Sequence, residues 1–407
     1  MTTLRTTFAR LLGRTLFAAT LAATLGAGAG CRTKPGLPFA ALEYPMTTRT
    51  VTVGTAEIAV HDVGKGERTI VMIHGLGSSM PAWTKNIAAL ARDHRVVTID
   101  LPGYGKSSKS NYEYTMRFFA KAVHGVVREL DLSRVVLVGH SMGGQIAMTY
   151  ALDYPDAVEA LVLTSPAGLE PFKDGEAQWL AQMTTPAFTC GADDEAVWVR
   201  HAQNFFKPPK DADFMVKHRI AVRGGPDFAD YCVAVSRSVA GMLDEPVLDR
   251  VPEIDLPVLV LFGEADALIP NPFLHGGSTV KLAKKAVEKF PDAELVLLER
   301  AGHMAQFEQA DRWNRAVVDF LDDHKEAPTN RRARKPYRGV PGGAVVPLYA
   351  PGTDPDDPAS TPAPRPAKPK PETEPEPAPK PDPEPEIVPD SPTPAAPPAP
   401  AATGAPS

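Results

Sequence analysis

Residues 135–144, reading VVLVGHSMGG, limit the choice of fold more than any other part of this 407-residue chain. Four consecutive apolar residues, Val135 to Val138, have the character of a short buried strand, and the small and apolar residues from Met142 to Tyr150 that of a packed helix. Between them, Gly139-His140-Ser141-Met142-Gly143 forms a G-x-S-x-G turn. A turn tight enough to lift a serine hydroxyl clear of a sheet leaves no room for side chains two positions to either side, so glycine stands at both. Ser141 is therefore a candidate nucleophile. A glycine-rich loop that merely turns the chain would read the same way, and the flanking sequence has to decide.

On both flanks strand and helix alternate. Residues 50–53 and 57–63 are β-rich runs punctuated by Gly54 and Gly64, which predicts a leading hairpin. The apolar run 69–73 ends in His74-Gly75-Leu76-Gly77, a helical stretch covers 81–92, and a second apolar run, 96–99, ends in Asp100. Met116, Phe119, Val123, Val127 and Leu130 recur at the spacing of an amphipathic helix. A further strand is expected at 160–163. From 169 to about 250 the alternation gives way to helical fragments rich in large apolar residues, among them Trp179, Phe188, Trp198 and Tyr231, which predicts a helical cap over a substrate pocket. Strand 258–262, helix 280–290, strand 294–298 and helix 307–321 complete the pattern. Continuous apolar strands joined by such helices imply an α/β class with a mostly parallel sheet covered on both faces.

A serine hydroxyl is a poor nucleophile at neutral pH and needs a base, and the base needs a partner that fixes its tautomer. In an open sheet of this kind reactive groups gather at the carboxyl ends of strands. Ser141, Asp266 and His303 each follow a predicted strand, in the chain order Ser, Asp, His that accompanies a strand-turn-helix nucleophile elbow. Glu264 competes with Asp266 for the acid. The amides of Leu76 and Met142 are the candidate donors to the oxyanion of a tetrahedral intermediate. This chemistry needs no cofactor, and His61, His94, His201 and His218 lack the paired spacing of a metal site. The GYGKS at 103–107 is no phosphate loop, because Asp100 stands where that motif requires glycine. His140 is expected to play a structural part.

Five motifs in order, HGLG at 74–77, DLPGYGKS at 100–107, GHSMGG at 139–144, FGEADALIP at 262–270 and AGHM at 301–304, resemble those of the α/β-hydrolases over about residues 49–325. The resemblance implies that fold, with Ser141 as nucleophile, His303 as base, Asp266 in preference to Glu264 as acid, and Leu76 and Met142 as oxyanion donors. A serine at 141 excludes the aspartate-nucleophile branches. The stretch AGHMAQFEQADRWNRAVVDFL at 301–321 is similar to the meta-cleavage product hydrolases, which break carbon-carbon bonds. Those proteins usually carry asparagine before the nucleophile and tryptophan after the catalytic histidine, where His140 and Met304 stand here. A carboxylic ester hydrolase acting on small to medium apolar acyl substrates needs only the machinery already named, suits the exported location expected below, and is the first expectation. A carbon-carbon bond hydrolase and a non-catalytic envelope binding protein on the same fold are the alternatives.

The ends have a different character. Residues 1–31 read as an export signal: Arg5, Arg10 and Arg14 without an acidic residue, an alanine- and leucine-rich run at 15–30, then Cys31. Gly28-Ala29-Gly30 before Cys31 resemble a bacterial lipobox, although Gly28 replaces the usual leucine. The expectation is an exported lipoprotein held on the membrane by acyl chains on Cys31 and facing the periplasm or exterior, each buried methylene contributing about 0.8 kcal/mol. A linker, 32–48, leads into the hydrolase domain, 49–325. Beyond it, 326–407 opens with a basic run, Arg331, Arg332, Arg334, Lys335 and Arg338. The stretch from 351 onward holds 21 of the 43 prolines and no aromatic residue. Such a tail cannot bury enough apolar surface to order itself and is expected to be disordered, a spacer or an envelope contact. The net charge of −6 argues against a nucleic-acid partner. Three cysteines make no disulfide framework; Cys190 and Cys232, both in the cap, read by default as two separate buried thiols, with a bridge between them as the alternative.

Overall fold

The computed structural model describes residues 35–325, 347–350, 353, 354 and 356. The expected signal with Cys31, the basic run and most of the proline-rich tail, including the unit 363–407, lie outside the described residues. The strands are β1 (Arg49–Val53), β2 (Ala56–Val63), β3 (Thr69–Ile73), β4 (Arg95–Ile99), β5 (Val135–His140), β6 (Ala160–Thr164), β7 (Val258–Gly263) and β8 (Ala293–Leu298). They form one sheet in the order β1-β2-β4-β3-β5-β6-β7-β8. β2 runs antiparallel to both its neighbours, and every other pair is parallel. The predicted hairpin and the predicted parallel sheet are both present. From β3 the chain moves outward to β4 and then returns to β5 on the other side. That reversal opens a crevice at the carboxyl ends of β3 and β5, where loops from both strands meet.

The helices are α1 (Ile87–Leu90), α2 (Met116–Glu129), α3 (Met142–Asp153), then α4 (Asp174–Met183), α5 (Pro186–Cys190), α6 (Asp194–Ala202), α7 (Asp213–Val222) and α8 (Phe228–Asp244) in the cap, followed by α9 (Thr279–Val287), α10 (Ala305–Glu308) and α11 (Ala310–Asp323). Alternate residues of β5 feed opposite faces of the sheet, as the two-residue period of a strand requires. Val135 and Leu137 join Phe119 and Ile146 of α2 and α3, while Val136 and Val138 join Trp83, Trp313 and Phe320. Among the described residues no helix is long and apolar enough to cross a membrane.

Four local expectations are modified. The helix predicted over 81–92 is a 3-10 turn, Met80–Trp83, followed by the short α1. Between them the buried Asn86 side chain donates to Gln306 O (3.0 Å) and Asn314 Oδ1 (2.9 Å), bonds that fix the chain to the neighbouring helix instead of continuing its own. The helix predicted over 307–321 begins earlier and breaks at Gln309 between α10 and α11. The expected linker 32–48 is part of the fold from Leu37 onward: Leu37 N donates to Ala221 O (2.7 Å), Phe39 N to the Asp227 carboxylate (3.2 Å), and Tyr44 OH to Asp100 Oδ2 (2.9 Å). In the region assigned to the tail, residues 347–350 pack beside β1: Leu348 is buried and its carbonyl accepts from Thr55 N at 2.6 Å.

Cys190 of α5 and Cys232 of α8 form a disulfide, so the default expectation of two separate thiols is corrected. α8 turns Phe228, Tyr231, Val235 and Val239 toward the core at three- and four-residue intervals. It joins the core of the main body, as does the end of α7 through Val222.

Candidate active site

Ser141 sits at φ 54°, ψ −120°, a backbone conformation that a non-glycine residue adopts only under compulsion. The compulsion comes from both sides of the turn. Ser141 N donates to Thr164 O at the end of β6 (2.9 Å), and Ser141 O accepts from Gly144 N (2.8 Å) and Ala167 N (3.0 Å). The turn is so tight that a Cβ on Gly139 would lie 2.3 Å from Gly143 O. The glycine pattern in the sequence thus has the steric origin assigned to it.

Asp266 lies on the turn after β7, its carboxylate buried. Oδ2 accepts from His303 Nδ1 at 2.8 Å, and Oδ1 from the amides of Leu268 (2.9 Å) and Ile269 (3.1 Å). Burial pushes this carboxyl up, but the facing His303 and the two amides outweigh it and hold the group below its ordinary value. With its Nδ1 proton directed at Asp266, His303 presents a lone pair on Nε2. Glu264, the competing acid, is exposed on the same turn. His303 and Ser141 line one cavity.

Leu76 lines that cavity too, on the loop after β3. The loop abuts the elbow closely: a Cβ on Gly75 would stand 3.0 Å from Ser141 Cβ. His74 shapes it, donating from Nδ1 to Gly75 O (2.8 Å) and accepting Leu101 N at Nε2 (3.1 Å), and burial pushes its pKa down to about 4, so the ring is neutral. Met142 opens α3, so its N–H has no carbonyl four residues back to bond within the helix.

Four further residues support the site without being among the candidate catalytic residues. His140 donates from Nε2 to the backbone oxygen of His303 (3.0 Å). Burial first, and His303 beside it, push its pKa to about 3, so it too is neutral. Its buried Nδ1 has no hydrogen-bond partner among the described residues. Glu308 accepts from Gly302 N (2.7 Å), Lys207 N (2.8 Å) and Phe206 N (3.0 Å), tying the His303 loop to the cap; nothing local marks it, since acidic residues near helix starts are common. Arg219 of α7 donates to Gly77 O and stacks on Tyr231, its guanidinium carbon 4.3 Å from the ring centroid, which joins the cap to the loop after β3. Asp100 accepts from the amides of Met80 and Lys106, both at 2.7 Å, and anchors the end of the same loop.

The cavity encloses about 1010 Å³. Ser141 and His303 are among its lining residues, and the cap supplies Leu180, Phe188, Val235, Val239 and Met242, with Arg200 lying over the Phe188 ring at 4.2 Å. Among the described residues no His, Cys, Asp and Glu side chains are grouped to hold a metal ion.

Residues 68–310 match the family model described as alpha/beta hydrolase fold. A 2-hydroxy-6-oxononadienedioate/2-hydroxy-6-oxononatrienedioate hydrolase of Cupriavidus pinatubonensis is 30% identical over 292 residues, covering 68% of this chain and 95% of that protein. The dihydrolipoyllysine-residue acetyltransferase component of an acetoin cleaving system from Pseudomonas putida is 29% identical over 263 residues, 64% of this chain and 65% of that protein. Among solved structures, a probable hydrolytic enzyme from Pseudomonas aeruginosa PAO1 superposes with a TM-score of 0.63 at 24% identity, covering 70% of this chain and 98% of the other. Sheet order, cap position and family match agree: the chain belongs to the α/β-hydrolase fold family and is a hydrolase.

Proposed function

We propose that this hydrolase cleaves carboxylic esters of small to medium apolar acyl groups through a covalent acyl-enzyme on Ser141. The observation that carries the reading is the 2.8 Å hydrogen bond from His303 Nδ1 to Asp266 Oδ2 in the wall of the cavity that Ser141 lines. His303 Nε2 accepts the Ser141 proton as Oγ bonds to the substrate carbonyl carbon, and the amides of Leu76 and Met142 hold the resulting oxyanion. Collapse of the tetrahedral intermediate breaks the ester bond, and the imidazolium returns the proton to the leaving alcohol. A water, deprotonated by the same imidazole, then releases the acid and restores Ser141. The apolar side chains from the cap suit an acyl chain.

A second reading, carbon-carbon bond hydrolysis, is favoured by the 30% identity with the dienedioate hydrolase over most of that protein's length. His140 and Met304, where the meta-cleavage hydrolases resembled by residues 301–321 carry asparagine and tryptophan, count against it. Purified chain assayed with short p-nitrophenyl esters and with 2-hydroxy-6-oxohexadienoates separates the two. Ester turnover alone supports the first reading, and dienoate turnover alone the second. No turnover of either, with no labelling by a fluorophosphonate, would assign the chain to the non-catalytic binding class.

The same proposal places the protein at the cell envelope, tethered through lipidated Cys31. The Cys190–Cys232 bridge supports an oxidising compartment. Cys31→Ser should release the protein from membranes; unchanged membrane association would remove the tether from the account.

A further inference from the structure

We infer that the outer face of cap helices α4, α5 and α6 lies on a lipid bilayer, so that the cavity opens at the membrane and takes esters that partition into it. None of these three helices contains a buried residue. A short helix owes its stability to a buried apolar face, so three in succession that pack on α7 and α8 without burying any residue are unusual. Their inner side is accounted for, since Leu180, Phe188 and Val197 line the cavity. Their outer side carries Trp179 and Met183, one turn apart on α4, and Trp198 and Val199 on α6, between 39% and 53% exposed and absent from the cavity lining, while Phe188 of α5, which lines the cavity, is 52% exposed at its mouth. Exposed large apolar side chains mark candidate interaction sites, and tryptophan in particular suits the boundary between water and lipid.

With the proposed tether at Cys31, the path of the chain points to a lipid surface as the occupant. Leu37, itself 46% exposed, donates its amide to Ala221 O at the end of α7 (2.7 Å), and Arg223 just beyond pairs with Asp194 at the start of α6. The N-terminal arm therefore joins the body beside the exposed face. Cys31 precedes the first described residue, Pro35, by four positions, a stretch that spans at most about 14 Å. A tether that short at this point brings α6 to the surface on which it is anchored. Interfacial helices of this kind bury their apolar side chains at the boundary between headgroups and acyl chains. This inference rests on the proposed tether for its direction and on the exposed face for its contact.

Tryptophan fluorescence of the full chain provides the test. Of the four tryptophans, Trp83 and Trp313 are fully buried, so a spectral response to lipid comes from Trp179 and Trp198. The chain is mixed with vesicles of phosphatidylcholine and phosphatidylglycerol, with and without brominated acyl chains. Emission of the bound chain should move to the blue and be quenched by the brominated lipid. The double variant Trp179→Phe, Trp198→Phe should bind the same fraction of vesicles and lose the quenching. Bound chain whose emission ignores bromine would overturn the inference, because it would be held by its N-terminal segment with the cap clear of the lipid. Absence of vesicle binding would overturn it as well. So would a blue emission maximum already present without lipid in a chain that sediments as a dimer, which would give the face to a second copy. Failure of the esterase reading is seen separately in turnover, and failure of the tether in the membrane association of Cys31→Ser.

Discussion

The imidazole of His140 donates from Nε2 to the main-chain oxygen of His303 over 3.0 Å, and the two rings lie 4.8 Å apart between centroids. The residue before the proposed nucleophile thus holds the backbone of the proposed base. In the proposed mechanism His140, buried and neutral, is a positioning residue that acts through His303. A lost neutral hydrogen bond is worth about 1 kcal/mol, so His140→Ala should lower kcat about 5- to 10-fold with a smaller change in KM. Steady-state kinetics with a p-nitrophenyl ester check this. Because the ring titrates near 3, the variant should keep the wild-type pH profile above pH 5. A displaced acid limb would mean that His140 itself exchanges protons in the reaction.

Asp266 makes two linked predictions. Asp266→Asn keeps the shape but reverses the donor that faces His303 Nδ1, and the wrong tautomer should cost kcat about 10⁴-fold. The carboxyl is held below its ordinary value, so between the two pKa values the unfolded chain binds more protons than the folded one. The stability it contributes is present above about pH 4 and lost as pH falls through the folded value. Urea unfolding should therefore show a larger difference between wild type and variant at pH 7 than at pH 3.

At Asp100 the sign is opposite. Burial raises its pKa to about 6, against the opposing pull of the Met80 and Lys106 amides and Tyr44. Here the folded chain binds the extra proton, so stability from this group is greatest below about pH 4 and declines as pH rises to 6. Asp100→Asn removes the titration. The difference in unfolding free energy between wild type and variant should shift in the variant's favour from pH 4 to pH 6, and a constant difference would contradict the assignment.

Much of this arrangement is legible in the sequence, for reasons that differ from place to place. The elbow is legible because sterics at Gly139 and Gly143 leave a fixed residue pattern, and the sheet because strands buried on both faces are continuously apolar. Ser141, Asp266 and His303 stand at strand ends, and sheet topology brings strand ends together. Asn86, Glu308 and Arg219 are not legible. Each acts through a backbone group more than 100 residues distant or on another element, and no local pattern records such a partner. Leu348 sits in a stretch whose composition suggests no order, yet it finds a buried place beside β1. Cap helices α4, α5 and α6 are illegible for another reason: they line an open cavity and bury nothing, so the apolar period that burial imposes on α8 is missing.

The disulfide ties α5, which buries nothing of its own, to α8, which is part of the core. Cys190→Ala with Cys232→Ala should lower stability by about 2–4 kcal/mol for a loop of this length. Hydrogen exchange should locate the effect, with amides of α5 losing protection while those of β5 and β6 keep theirs. Uniform loss across the sheet would show that the bridge supports the whole domain and not the cap alone.

The central claim is that Ser141 carries the acyl group. Mass spectrometry of chain quenched in acid during turnover of p-nitrophenyl acetate measures this directly. The account predicts an acetyl adduct on the peptide containing Ser141, with the adduct and nearly all turnover absent from Ser141→Ala. An adduct on another residue, or turnover retained by Ser141→Ala, would contradict it.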